Sequence, residues 1–474
     1  PPPRSVQVQP TLCVGREVML DEERYRSLTC DEYESAVGIG AYYTQTRGIG
    51  GLIKVLPEDF EVWEVLNGGL DARERFERWR PPPHPPVRNA LLVVKKRDRE
   101  TLRVAADLAK ILGVRLRAVK TYGLKDRRAV AWQFVAVPAR SVLDRIDVPI
   151  EVRGAQALVV GEAHSVETRE LLYNAFRVLV READPDQEVL ENFVREVNSR
   201  GVPNFYGLQR FGVSRPITHL VGYHIVRGDL EAAARAFVGL HTPHEQEHVI
   251  EFRRSFLESG DWSWAAMNAP KSLVYERALL RHLASNPGDF AGAFRRLPLR
   301  IRRLLVESYA SYVFNRALTE NLRDGVPLDE PLEGDLVARV DRFGRPERKL
   351  YEVSRWNIVE AARRVREGTM AILMPHPGHS VRLPQNERGK AILRALEQDG
   401  LRPSSFRLRD LPEAGSMGGY RAVTLRPLRI SARAVKEDGV LVEMALPRGS
   451  FATVVLRELM KQRCALAYVG KRVH

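Results

Sequence analysis

The stretch GLKDRRAVAWQ, residues 123–133, sets one carboxylate, Asp126, among three cations, Lys125, Arg127 and Arg128. An ionised acid held in a pocket can act as nucleophile or base, whereas backbone hydrolysis usually recruits acid clusters for metals or paired histidines. A second stretch, NFYGLQRFG at 204–212, gathers Asn204, Phe205, Tyr206, Gln209 and Arg210. Aromatic rings stack unpaired bases, amides read base edges and arginine holds phosphate. Each stretch also has a plainer reading: a neutralised surface loop, and a buried turn with Phe205 and Phe211 in the core. Taken together they point to chemistry on a nucleotide turned out of its stack. Isomerising uridine to pseudouridine is one such reaction, and it needs neither metal nor cofactor.

Other constellations are weaker. Gly48, Gly50 and Gly51 lack the spacing of a dinucleotide fingerprint, and no phosphate-binding GxxxxGK[ST] occurs. HTPHEQEH matches HExxH literally through His244, Glu245 and His248, but its polar surroundings after a proline favour a solvated helix start over a zinc site. His376 and His379, in PHPGH, read as a turn. No metal and no cofactor are therefore expected.

Lys plus Arg number 74 against 60 Asp plus Glu, a net +14 that favours a polyanionic partner. No apolar run is long enough to span a membrane, and PPPRSVQVQP has no signal-like apolar core, so a cytoplasmic protein is expected. Cys13, Cys30 and Cys464 lie far apart without CxxC spacing, which argues against a disulfide framework and against a zinc site.

The elements that must position these residues can be read from periodicity. LIKVLPEDFEVWEV reads as strand, turn at Pro57–Asp59, strand; RPPPHPPVR is a loop; NALLVVKK is a strand. TLRVAADLAKILG is a helix capped by Thr101, with Leu102, Ala105, Leu108, Ala109 and Leu112 on its apolar face. VRLRAVKTY and AVAWQFVAV are strands, which makes GLKDRR their connection. LLYNAFRVLVRE is a strand, followed by a helix capped at Asp184. Residues 231–409 read as more helical at first, through ERALLRHLA and SYASYVFNRALTENL, then mixed. GVLVEMALPRGSFATVVLRELMKQ is a strand running into a helix capped by Ser450. This pattern suggests one domain interrupted by another: an N-terminal extension over 1–35, one domain over 36–230 and 410–474, and an insert over 231–409.

GLKDRRAVAWQ and VPNFYGLQRFG resemble the two signature motifs of the TruD family of tRNA pseudouridine synthases, the first carrying that family's catalytic aspartate. IKVLPEDFEVWE, VVKKRDRET, YNAFRVLVR, SYASYVFNRAL, EGDLV, MPHPGHS and LPRGSFATVVLREL resemble further family segments in order. The resemblance implies a mixed α/β (α+β) fold, with a pseudouridine-synthase catalytic domain on a largely antiparallel sheet and an inserted α/β TRUD domain. It also implies a tRNA substrate, with the uridine at position thirteen as expected target, and no obligatory protein partner. On this reading Asp126 is catalytic and Lys54 pairs with it. Asn204, Phe205, Tyr206, Gln209 and Arg210 bind the flipped uridine, with Tyr206 as the stacking ring, and Lys125, Arg127 and Arg128 face the RNA backbone. Two letters depart from the motifs: Ala131 replaces a threonine, and Phe205–Tyr206 reverses a Tyr-Phe pair. A non-catalytic RNA-binding or RNA-remodelling protein is the alternative.

Overall fold

The alternating FEVWEVL and NALLVVKKR segments form strands, as their period of two requires. The computed structural model describes residues 7–8, 22–163, 167, 170–435 and 439–470. Its first seven main strands are β1 Gly50–Leu52, β2 Phe60–Leu66, β3 Asn89–Arg97, β4 Val130–Pro138, β5 Ile150–Val152, β6 Ala155–Glu162 and β7 Leu171–Ala183. AVAWQFVAV is apolar almost throughout because both faces of β4 are covered. Val135 and Val137 pack with the helix α1 Thr101–Ile111 through Val104, Ala105 and Leu108, while Trp132, Phe134 and Ala136 join a second cluster.

Three boundaries in this part of the chain differ from expectation. Glu100, not Thr101, precedes α1, because the Thr101 hydroxyl is engaged elsewhere, as described below. VRLRAVKTY contributes only Lys120–Thr121 as strand, after a short turn at Leu116–Ala118. The helix α2 Gln187–Arg200 is capped by Asp186, whose carboxylate accepts from the Glu188 and Val189 amides. Asp184 is instead bound by Arg47, which reaches both acids across Pro185.

The helices α3 Thr218–Arg227, α4 Leu230–Gly239, α5 Glu247–Ser259, α6 Trp262–Asn268, α7 Val274–Ser285, α8 Phe290–Arg295 and α9 Leu299–Arg323 follow. Then come β8 Leu336–Val340, β9 Pro346–Glu352, α10 Ile358–Arg366, β10 Met370–His376, α11 Glu387–Gln398 and β11 Gly419–Ala422. These four strands make their own antiparallel sheet in the order β9-β8-β10-β11. The chain then returns through β12 Arg429–Val435 and β13 Gly439–Pro447 to α12 Ala452–Met460. Phe451 rather than Ser450 occupies the cap position of α12, with no side-chain bond.

Strands from both ends of the chain share the large sheet, whose order is β12-β13-β7-β2-β4-β3-β6-β5, with β1 also on β7. Every pairing along this order is antiparallel except β2 with β4. Apart from residues 7–8, the expected extension is described from residue 22 onward, and there Tyr25, Leu28 and Tyr33 are buried in the main core. Arg457 of α12 fastens this segment by donating to Glu34 at 2.8 Å, to Ala41 O and to Glu458, all inside the fold.

A disulfide joins Cys30 to Cys464, with Cα atoms 4.8 Å apart. This corrects the expectation of unpaired cysteines: the separation of 434 residues hid a pair that the core brings together. Cys13 lies outside the described residues. Closing so long a loop restricts the unfolded chain, which stabilises by about 2–5 kcal/mol. Cys30→Ser, or a thiol reductant, should therefore lower the melting temperature by several degrees, and an unchanged melting curve would show that the bridge contributes nothing.

Candidate active site

Asp126 lies in the short connection from Lys120–Thr121 to β4, and three buried contacts fix that loop. Lys95, Lys96 and Arg97 are consecutive on β3, so the pleat turns Lys96 to the opposite face from its neighbours. Fully buried, Lys96 donates from Nζ to Asp126 O at 2.5 Å and to Arg99 O at 2.8 Å. The Thr101 hydroxyl accepts from the Lys125 amide at 3.1 Å and donates to Gln133 Oε1 at 3.0 Å. Lys125 turns inward, with Nζ 2.7 Å from Oε1 of buried Glu64. A Cβ on Gly123 would lie 3.0 Å from that ammonium, so the first glycine of the motif makes room for the ion pair.

Lys54 approaches from the turn between β1 and Pro57. Its φ of +59° is in the left-handed region, a conformation costing on the order of 1 kcal/mol or more for a non-glycine residue. The strain is held by neighbours. Ile53 N donates to Ala467 O, and Arg128 donates to Gly470 O at 2.9 Å and to Val55 O at 2.7 Å. Gly470 packs directly on Lys54 O, where any Cβ would clash. The result is a 2.7 Å ion pair from Lys54 Nζ to Asp126 Oδ2, with the ammonium 4.2 Å over the Phe60 ring.

Burial alone would raise the Asp126 pKa, but the Lys54 charge and hydrogen bond, aided by Lys96 and Lys125, hold it below the ordinary aspartate value. Burial pushes Lys96 down to about 8, against the attraction of Asp126 and with repulsion from Lys125 and Lys54. Between about pH 8 and 10.5 the folded protein has therefore released a proton that the unfolded chain retains, so this group adds stability as pH rises. Lys96→Met should flatten that part of the stability profile, measured as urea midpoint against pH. A slope unchanged by the substitution would show that Lys96 does not titrate there.

Asp126 opens onto a cavity of about 380 Å³ walled by the rings of Phe60, Phe176 and Phe451, with Asn174, Gln209, Arg210 and Thr453 as polar lining. That volume is within the range of small-molecule sites. Its floor comes from β2 and β7, while Phe451 and Thr453 come from the turn into α12.

The second motif is distributed differently from its sequence reading. Gln209 and Arg210 line the cavity; Gln209 Oε1 accepts from Thr453, and Arg210 Nε donates to Ser311 Oγ. Phe205 is fully buried core and cannot stack a base. The Asn204 carboxamide is engaged on both sides, donating to Ala422 O at 2.9 Å and accepting from Arg421 at 2.6 Å. Tyr206 does not line the cavity. Its ring is packed against Phe314, His376 and Phe451, with the Arg421 guanidinium 4.1 Å above it, and Phe451 is the ring that meets the cavity. Among the three motif cations, Arg127 and Arg128 are exposed, and Arg127, 69% exposed and 4.0 Å from Asp98, projects outward. Lys125 is spent on Glu64, and Arg128 clamps the backbone beside Lys54.

HTPHEQEH does not form a helical turn, because α5 begins at Glu247. Glu245 accepts from buried Arg253, and His244 packs against the Tyr33 ring. Among the described residues, no group of three or more His, Cys, Asp or Glu is placed to hold a metal ion.

Comparison with known proteins decides the family. The family model for tRNA pseudouridine synthase D (TruD) matches residues 36–459. The chain belongs to the tRNA pseudouridine synthase D family. Curated relatives named "Probable tRNA pseudouridine synthase D" include one from Methanococcoides burtonii, 32% identical over 90% of this chain and 97% of its own. One from Pyrococcus furiosus is 33% identical over 90% and 99%, respectively. The crystal structure of a TruD protein from Methanosarcina mazei superposes with a TM-score of 0.73 at 31% identity, covering 92% of this chain and 99% of that one. The TruD family isomerises uridine in tRNA to pseudouridine, and its mixed α/β architecture is the one seen here.

Several residues of this TruD site went unread in the sequence. Glu64 follows Phe60 and Val62 at a spacing of two, which puts it on the buried face of β2, and the same pleat rule places Lys96 inward. Both signals were available. Arg421 and Phe451 carried none, since they reach the site from segments more than 200 residues away from the second motif. Ala131 pairs with Lys96 on one side and Val62 on the other, fully buried under the Asp126 loop. Its methyl belongs to the core, so no hydroxyl contact is needed to explain its packing.

Proposed function

We propose that this TruD protein converts the uridine at position thirteen of tRNA to pseudouridine, with Asp126 as the catalytic carboxylate. The observation that carries the reading is the Lys54–Asp126 ion pair at a cavity walled by three aromatic rings. Asp126, kept ionised by Lys54, attacks the ribose C1′ or uracil C6, or draws the C2′ proton; each route uses the same carboxylate and calls for neither metal nor cofactor. Phe451, braced by Tyr206, faces the flipped base. Asn204 supports that wall through Arg421, and Gln209 and Arg210 meet the nucleotide directly. Arg127 contacts backbone phosphate.

The catalytic domain spans 36–230 and the residues after about 425, with the TRUD domain between them. The pairing of β11 with β10 supports a return later than the expected residue 410. No described helix is long and apolar enough to cross a membrane. A tRNA substrate supports a cytoplasmic location. An intracellular disulfide is then of the kind found in heat-adapted organisms.

The test uses one unmodified tRNA with uridine at position thirteen and a matched transcript with cytidine there, without added metal or cofactor. Chemical mapping should find pseudouridine at position thirteen of the first and none elsewhere on either. Product at another uridine would refute the site assignment, and RNA binding without product would favour the remodelling protein.

A further inference from the structure

Among the described residues that line the cavity, all but one are buried or half-buried; Leu124 is 66% exposed. A single exposed leucine is ordinary on a protein surface. What sets Leu124 apart is its setting, two residues before Asp126 in a loop fastened along its inner side. The next residue, Lys125, pairs with buried Glu64 and has its amide held by Thr101, while Lys96 grips the Asp126 carbonyl. The preceding residue, Gly123, lies against that same ion pair. The loop therefore has no slack with which to turn Leu124 into the core, and the apolar side chain stays at the rim of the cavity. Arg127, exposed further along the loop, adds a cation for backbone phosphate beside it.

We propose that Leu124 is the wedge that opens the RNA stack, entering the gap left by the target uridine while its base occupies the cavity beside Asp126; this rests on the pseudouridine-synthase reading. A base that must reach a carboxylate inside a cavity has to leave its stack, and it forfeits its contacts with the neighbouring bases. An aliphatic side chain inserted between base steps replaces part of those contacts and opposes the return of the base. Leu124 is placed for both tasks. Two positions from Asp126, it stands at the mouth through which the base passes. Because the loop is already fixed, little conformational freedom is lost when RNA covers its tip. The leucine side chain has no hydrogen-bonding group, so the wedge acts on the rate of opening and not on the choice of neighbouring bases.

The experiment compares an intact tRNA with one in which the nucleotide stacked on the target is abasic, so that little has to be wedged apart. Turnover is measured with wild type, Leu124→Ala and Leu124→Met. On the intact tRNA, Leu124→Ala should lose about 10–100-fold in kcat/KM, whereas Leu124→Met, which keeps the apolar bulk, should stay within about threefold of wild type. On the abasic tRNA the deficit of Leu124→Ala should shrink to about threefold or less. The acid limb of the pH profile should stay in place in both variants, because Lys54 and Asp126 are untouched. In parallel, tRNA carrying the fluorescent base 2-aminopurine beside the target is saturated with Asp126→Asn protein, where no chemistry occurs. Unstacking should raise the fluorescence when Leu124 is present, and Leu124→Ala in the same background should give a clearly smaller rise. An equal deficit of Leu124→Ala on both tRNAs, wild-type turnover by that variant, or its full fluorescence rise would overturn the assignment. Absence of product from wild type on the tRNAs would instead count against the enzymatic reading, and the fluorescence series would still decide the role of Leu124.

Discussion

Asp126→Asn is expected to lower pseudouridine formation by about 10⁴-fold or more while leaving tRNA affinity within about threefold of wild type. The amide fills the same space but cannot ionise, so it is neither nucleophile nor base. The loop itself should persist, because Lys96 grips Asp126 through its backbone carbonyl and Thr101 holds the neighbouring amide, neither of which needs the carboxylate. Folding should cost about 1 kcal/mol: Lys54 loses its partner, but the Asp126 side chain is 35% exposed and water screens the pair. Single-turnover kinetics on a defined tRNA, alongside anisotropy-based binding, separates the two effects. A variant rate within tenfold of wild type would remove Asp126 from the chemistry.

Lys54→Met should reduce kcat by about 10²–10³-fold and, more tellingly, move the acid limb of the pH profile upward. In the wild-type site burial favours the protonated acid, and Lys54 is the largest influence opposing it, so Asp126 is ionised at any pH above its depressed pKa. With Lys54 gone, Lys96 and Lys125 act alone, and Lys125 already faces Glu64. The sign for stability follows from the same shift. A depressed carboxylate stabilises the fold at pH values above the unfolded pKa, and that contribution is lost as pH falls through the folded one. The variant should therefore lose less stability on acidification than wild type. A pH–rate profile whose acid limb stays in place would show that Lys54 does not govern Asp126. Lys54→Arg should recover part of the rate only if the left-handed turn still delivers the charge to Oδ2.

How much of this site was legible follows residue by residue. Asp126 stood out as the one acid in a basic loop between two apolar runs, and the structure places it at a cavity. Lys125 and Arg128 looked identical to Arg127 in the sequence, yet the first neutralises a buried glutamate and the second bridges two carbonyls beside Lys54. Charge composition cannot separate these roles, because it depends on which side of a loop meets the core. Phe205 and Tyr206 show the same limit. A pair of adjacent rings must face in different directions, and only the packing of α9 and α12 around them decides which is core and which is wall.

The sequence by itself determined β2, β3, β4, β7 and β13 of the large sheet, the loop carrying Asp126, the polyanion preference and the family motifs. Those signals are local: pleat alternation, capping chemistry and residues adjacent in the chain. Tertiary structure decided what touches the reactive group. Lys54 meets Asp126 across 72 positions, Arg421 reaches Asn204 across 217, and Cys30 finds Cys464 across 434. Such contacts are selected by the burial of side chains from remote segments in one core, and spacing along a single chain does not encode that shared burial in a form that can be read residue by residue.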